Sequence, residues 1–221
     1  MSATTAPVPK ASAPTERASV LEFYRDDGPI AAAVGVAAGD RLRVPAIALL
    51  VFAWLPGLVA IAVEGDGASK SVVAAAIVWA VLFGGLASSR PLVDRMRWMV
   101  PSALRVLEYV GLLWIASVAG ASSLPAVFAL LCAITYHHYD VVYGLRHRGV
   151  PLPRLVQAAG GGWDGRLLLA LVLLLVGGLP GGFCVMAAAV AALFIGITIS
   201  QWRHIGRSER PVYDDEEDED D

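Results

Sequence analysis

The run Tyr136-His137-His138-Tyr139-Asp140-Val141-Val142-Tyr143 ends an apolar stretch with two imidazoles, a carboxylate and three phenols. His137 and Asp140 stand at i and i+3, and Tyr136, Asp140 and Tyr143 at i, i+4 and i+7, so a helix would put them on one face. A histidine and a carboxylate so placed can hold a divalent ion or relay a proton. Tyrosines alone could equally form an aromatic belt at a membrane interface. His138 projects about 100° from His137, so the two imidazoles are not expected at one site. Glu108 is a second carboxylate inside an apolar run, with Arg105 one turn back as its expected partner. The catalytic candidates are therefore His137, Asp140 and Glu108.

Two further motifs could serve them. Gly160-Gly161-Gly162-Trp163-Asp164-Gly165-Arg166 precedes an apolar run. Its glycines permit close backbone approach, and a helix N-terminus beside an arginine favours an anion. Gly160, Gly161, Gly162, Asp164 and Arg166 are thus candidates for a lipid phosphate or nucleotide diphosphate. Asp164 is expected to cap its own helix, and Trp163 to sit at headgroup level. A plain loop entering a short helix is the competing reading. Neither GxxxxGK[ST] nor a strand-led GxGxxG occurs. The other motif is Glu22-Phe23-Tyr24-Arg25-Asp26-Asp27-Gly28-Pro29. Asp26 and Asp27, with Asp140, are candidate ligands for Mg²⁺, which prefers one or two carboxylates together with phosphate oxygens. Asp27–Pro29 could instead open a helix over the Ala-rich stretch Ile30–Ala38, with Pro29 at its first position.

The elements that must position these groups are membrane helices. Of 221 residues, 57% are apolar and 17% charged, far from a soluble domain's average of about 45–50% and about 25%. Roughly 20 apolar residues cross a hydrocarbon core of about 30 Å. Val44–Val63 meets that, followed by Ser71–Ala87, Leu104–Ala119, Leu124–Tyr143, the short Leu167–Leu179 and Gly182–Ser200. Backbone groups in lipid must be satisfied within the segment, so these runs are expected to be helices. The expectation is an all-α integral membrane protein with a bundle of about six transmembrane helices.

Charge supplies the orientation. Sixteen of the 17 Lys and Arg residues fall on one side of the six-span scheme; only Lys70 does not. Positive residues stay inside, which puts both termini and both long loops in the cytoplasm. His137 then lies about 10 Å from the inner edge and Glu108 about 6 Å, so they could share one level. An ionisable group at such a depth costs roughly 2.5–3.5 kcal/mol, and each asks for a reason. Residues 1–19 lack the apolar core of a signal peptide and are expected to form a disordered tail. Residues 20–43 form a cytoplasmic or interfacial segment, 44–205 the transmembrane domain, and 206–221 an acidic tail. Cys132 and Cys184, the only cysteines, are expected to be small packing residues within spans.

On Glu22–Pro29, Tyr136–Tyr143 and Gly160–Arg166, over roughly residues 20–205, the chain resembles an actinobacterial membrane domain of unknown function. The resemblance implies that in related proteins this domain is fused behind a CDP-alcohol phosphatidyltransferase module. Phosphatidyltransferases of that kind carry D-x2-D-G-x2-A-R-x8-G-x3-D-x3-D. Here Asp27-Gly28-Pro29-Ile30-Ala31 matches a fragment, Ala32 stands in place of the arginine, and no D-x3-D follows. The resemblance implies polar-lipid metabolism in a bacterial plasma membrane as the setting. Membrane lipids and a lipid-synthesis enzyme are the implied partners, and nothing points to nucleic acid. The expected function is a cytoplasm-facing polar cavity serving that metabolism. The alternative is a non-enzymatic accessory protein or small transporter whose polar residues hold the bundle together.

Overall fold

A computed structural model describes residues 24–38, 44–90, 96, 98–148 and 160–208, and every element among them is helical. The helices are α1 (Pro29–Ala38), α2 (Ala46–Glu64), α3 (Lys70–Ser88), α4 (Met99–Ala119), α5 (Leu124–Arg148), α6 (Gly162–Val176) and α7 (Gly181–Ser208). Short 3₁₀ turns at Gly65–Gly67 and Ala121–Ser123 close the α2–α3 and α4–α5 hairpins. The N-terminal tail, Glu22, Phe23 and the acidic run Asp214–Asp221 lie outside the described residues.

Four segments are long and apolar enough to cross a bilayer: Ala46–Gly67, Lys70–Ser88, Met99–Ala119 and Gly181–Ser200. Six were expected. α5 has the length, at 25 residues, but Tyr136–Asp140 interrupt its apolar run. α6 has 15 residues and so spans only about 22 Å. Polarity is distributed inside out. Val51, Phe52, Leu55, Leu58, Val59 and Val63 of α2 are exposed, while Glu108, Asp164 and Arg166 are buried. Water would penalise the first group and lipid the second, so this is the surface of a membrane protein.

Lipid also dictates local repairs. Pro56 lies inside α2 and has no N–H to give Phe52, four residues back. The Trp79 indole of α3 donates to that Phe52 carbonyl at 2.8 Å. Trp114 of α4 does the same for the Gly65 carbonyl just past the end of α2, at 2.9 Å. Small residues set the helix contacts: Gly84 of α3 lies under the Trp163 ring, and Gly85 against Ala31 and Val34 of α1. Cys132 and Cys184 are exposed on the bundle's outer face rather than packed within it.

Candidate functional site

The site begins where two loops meet backbone to backbone. A Cβ on Gly162 would fall on the Gly28 backbone, and one on Gly28 would fall on the Gly161 carbonyl and the Asp164 carboxylate. Gly162, at φ 62°, also takes a conformation that glycine adopts freely. The glycine run thus provides close approach, and what approaches is the chain's own segment Asp27–Gly28. Asp164 completes the seam. Its Oδ1 accepts the Gly28 N–H at 2.7 Å, and its Oδ2 accepts Ile30 and Ala31 at 2.9 and 2.8 Å. Those are donors that the first turn of α1 cannot satisfy itself. The expectation that Asp164 caps its own helix is therefore corrected. Gly161 precedes α6 without a side-chain cap, and Asp164, already in the first turn, reaches across to α1.

Against this seam lies a buried ion cluster. Arg166 Nε donates to Glu108 Oε1 at 2.6 Å, one terminal nitrogen to Asp26 Oδ2 at 2.6 Å, and the other to the Gly160 carbonyl at 2.9 Å. Three separate segments are joined at one guanidinium. Asp26 Oδ1 and Glu108 Oε2 are buried without a hydrogen-bond partner. Asp26 also sits at φ 54°, a left-handed conformation costing a residue with a side chain about 1–3 kcal/mol. The guanidinium fills the position between two carboxylates that a bridging cation would take. Among the described residues, no three His, Cys, Asp or Glu side chains are arranged as a metal site.

Both histidines reach Asp26. His138 Nε2 is 3.3 Å from Oδ2, and His137 Nε2 is 4.0 Å from Oδ1. His137 stacks on Phe194 of α7, with ring centroids 3.6 Å apart. His138 Nδ1 lies 3.1 Å from the Tyr109 hydroxyl, which lies 3.1 Å from Thr135 Oγ1. The 100° separation of the two imidazoles does not divide them, because the Asp26 side chain enters between them. Asp140 is elsewhere: half-buried, its Oδ2 accepts from Thr198 of α7 at 3.1 Å. Arg105 donates to the Tyr24 carbonyl at 2.6 Å, and the hydrogen-bonded partner of Glu108 is Arg166. Trp163 is buried on Gly84 and not at a headgroup surface, its indole N–H 3.3 Å from Asp27 Oδ1. Tyr109 carried no signal of its own in the sequence. Its place beside Glu108 was the one available hint.

The two neighbouring aspartates titrate in opposite directions. Burial works to raise the Asp26 pKa, but the Arg166 charge, the His138 hydrogen bond and the two imidazoles outweigh it and hold the carboxyl well below its ordinary range. For Asp27 burial wins over its 3.1 Å ion pair with Arg25, and the pKa is raised. On the other side of the cluster the surroundings turn apolar. Leu107 and Leu167, next to Glu108 and Arg166, line an open hollow with Trp54, Gly57, Ile77 and Trp114.

A helical membrane protein with a buried, partly unsatisfied charge cluster is the class this architecture defines. The chain belongs to the family of unknown function DUF5941, whose model matches residues 16–220. No curated protein and no solved structure matches it.

Proposed function

We propose that this is a multi-pass membrane protein of polar-lipid metabolism, with six spans and both termini in the cytoplasm. In this reading the cluster of Asp26, Glu108, Arg166 and His138 receives a lipid head group near the cytoplasmic face. The sixteen basic residues on one side of the scheme support the orientation. One observation carries the functional part: Asp26 and Glu108 each give one oxygen to Arg166 and keep the other buried without a hydrogen bond, that of Asp26 having only the His137 nitrogen 4.0 Å away. Buried polar atoms are nearly always paired, and a network serving stability alone would pair them. The free groups are acceptors. They suit the hydroxyl or ammonium donors of a head group better than its phosphate, which would have to displace a carboxylate from Arg166. The apolar hollow behind Leu107 and Leu167 offers an acyl chain a place beside the charged site.

The non-enzymatic alternative rests on Asp164, whose contacts are complete and structural. Lipid carried through purification separates the two readings. Extracted and identified by mass spectrometry, it should be enriched in one hydroxyl- or amine-bearing class over the whole membrane. Glu108→Gln should abolish that enrichment; it also removes one of Arg166's two carboxylate partners, so it is compared with the parent only in protein that still elutes as one folded species in detergent. A parent without enrichment, or a variant with unchanged enrichment, would discard the head-group site.

A further inference from the structure

Hydrogen positions along the Asp26–His138–Tyr109–Thr135 chain follow by exclusion. Asp26, ionised against Arg166, can only accept, so the His138 nitrogen facing it at 3.3 Å carries a proton. In the neutral imidazole Nδ1 is then an acceptor, and the Tyr109 hydroxyl at 3.1 Å must donate to it. The Tyr109 oxygen is left to accept from Thr135 Oγ1, also at 3.1 Å. Every bond in the chain therefore points the same way, from an exposed hydroxyl on the flank of α5 to a buried carboxylate.

We infer that Asp26, His138 and Tyr109 form a proton relay, with the half-buried Tyr109 hydroxyl as the group that meets a substrate hydroxyl. This deepens the head-group reading and rests on it for the substrate, a hydroxyl-bearing lipid or its acceptor alcohol. In the step, the substrate O–H bond breaks and its proton passes to the Tyr109 oxygen. The Tyr109 proton passes to His138 Nδ1, and the substrate oxygen keeps the electron pair. Asp26 orients the imidazole and stabilises the imidazolium without taking its proton, the division of labour found in a carboxylate–histidine–hydroxyl triad. Thr135 Oγ1 marks where the substrate hydroxyl would donate. Among the described residues, Glu108, Arg166, Arg105 and His137 are the other ionisable groups around the relay, and Arg166 keeps Asp26 ionised throughout.

A phenol whose proton is held by a base reacts fast with a sulfonyl fluoride. The O–S bond forms, the S–F bond breaks, fluoride leaves and His138 keeps the proton. The full chain in detergent is treated with an apolar arylsulfonyl fluoride, and labelled tyrosines are located by peptide mass spectrometry. Tyr109 should react at least tenfold faster than Tyr136, Tyr139 and Tyr143, which are 43%, 66% and 38% exposed. His138→Gln should erase that advantage. Thr135→Val, an exposed change outside the core, should raise the Tyr109 rate about twofold by freeing its oxygen. Equal reactivity of Tyr109 and the exposed tyrosines in the parent overturns the relay, whatever the variants do. So does a folded His138→Gln protein that labels like the parent. Labelling needs no bound lipid, so this result and the lipid-retention result can fail separately.

Discussion

Asp164 and the Asp26–Glu108 pair are carboxylates buried in the same end of one bundle, and they are treated differently. Asp164 accepts three backbone N–H groups at the entrance to one short helix and is fully buried. Asp26 and Glu108 share one arginine, and each keeps an oxygen without a hydrogen bond. Asp26 is also held in a left-handed backbone conformation. Fixed amide dipoles neutralise Asp164 without a counter-ion, which costs no flexible side chain its freedom. The Asp26–Glu108 arrangement accepts strain and incomplete pairing around a guanidinium. The first closes a seam with every contact local and neutralising; the second leaves buried charge incompletely paired, the feature on which the proposed head-group site rests.

The largest expected effect tests whether the pair depends on its cation. Arg166→Gln leaves two carboxylates facing each other in the bundle, and breaking a buried ion pair from one side costs about 3–5 kcal/mol. The melting temperature in detergent should fall further than for any other single change discussed. Adding Glu108→Gln to Arg166→Gln should recover part of the loss, because one of the two orphaned charges is then gone. A double variant no more stable than Arg166→Gln alone would show that the arginine matters for packing and not for charge.

Next comes the seam. Asp164→Ala strands three N–H groups and should cost about 3 kcal/mol. Gly162→Ala should act like it, since the new Cβ collides with the Gly28 backbone and the glycine's φ of 62° is lost. Gly165→Ala is the control. Its Cβ would meet nothing within 4 Å, and a helical alanine gains about 0.5–1 kcal/mol over glycine. Limited proteolysis near Tyr24 reads the seam directly: the first two variants should be cut faster, the third no faster than the parent. If all three are cut alike, α1 is not held by this contact.

The helices of this bundle were legible because apolar run length is a local property. Helices occur at all six expected positions, and Pro29 opens α1 as its fixed φ suggests. The glycine run and Asp164 were legible as devices, for close approach and for capping. Their targets were not, since Gly28 and Ala31 lie 136 and 133 residues away from Asp164 in sequence. Helical spacing says which residues share a face but not what that face meets. It grouped His137 with Asp140, whereas the insertion of Asp26 drew His137 and His138 together and left Asp140 to Thr198. The chemistry of the site was visible one residue at a time, and its partner was a segment with no hydrophobic signal.

The smallest effect separates Asp26 from its own neighbour by pH. Above the ordinary carboxylate value of 3.8 Asp26 is ionised in both folded and unfolded chains, and its stabilisation is fully present. Below 3.8 the unfolded chain takes up a proton while the folded one does not, so stability falls as pH drops through that window towards the lower folded value. The slope from one such group is at most about 1.4 kcal/mol per pH unit. Asp27 has the opposite sign. Its folded pKa is raised, so the folded chain protonates first, and stability gains as pH falls from the raised value to 3.8. Because both histidines contact Asp26, parent and variant are compared at each pH in a His137→Gln, His138→Gln background, which removes the imidazole contribution. The Asp26→Asn deficit should therefore be constant above pH 3.8 and shrink below it. The Asp27→Asn difference should change only above pH 3.8 and then level off. Parallel curves for the two variants would mean that Arg166 does not distinguish the two aspartates, and the contrast between a held charge and a merely buried one would collapse.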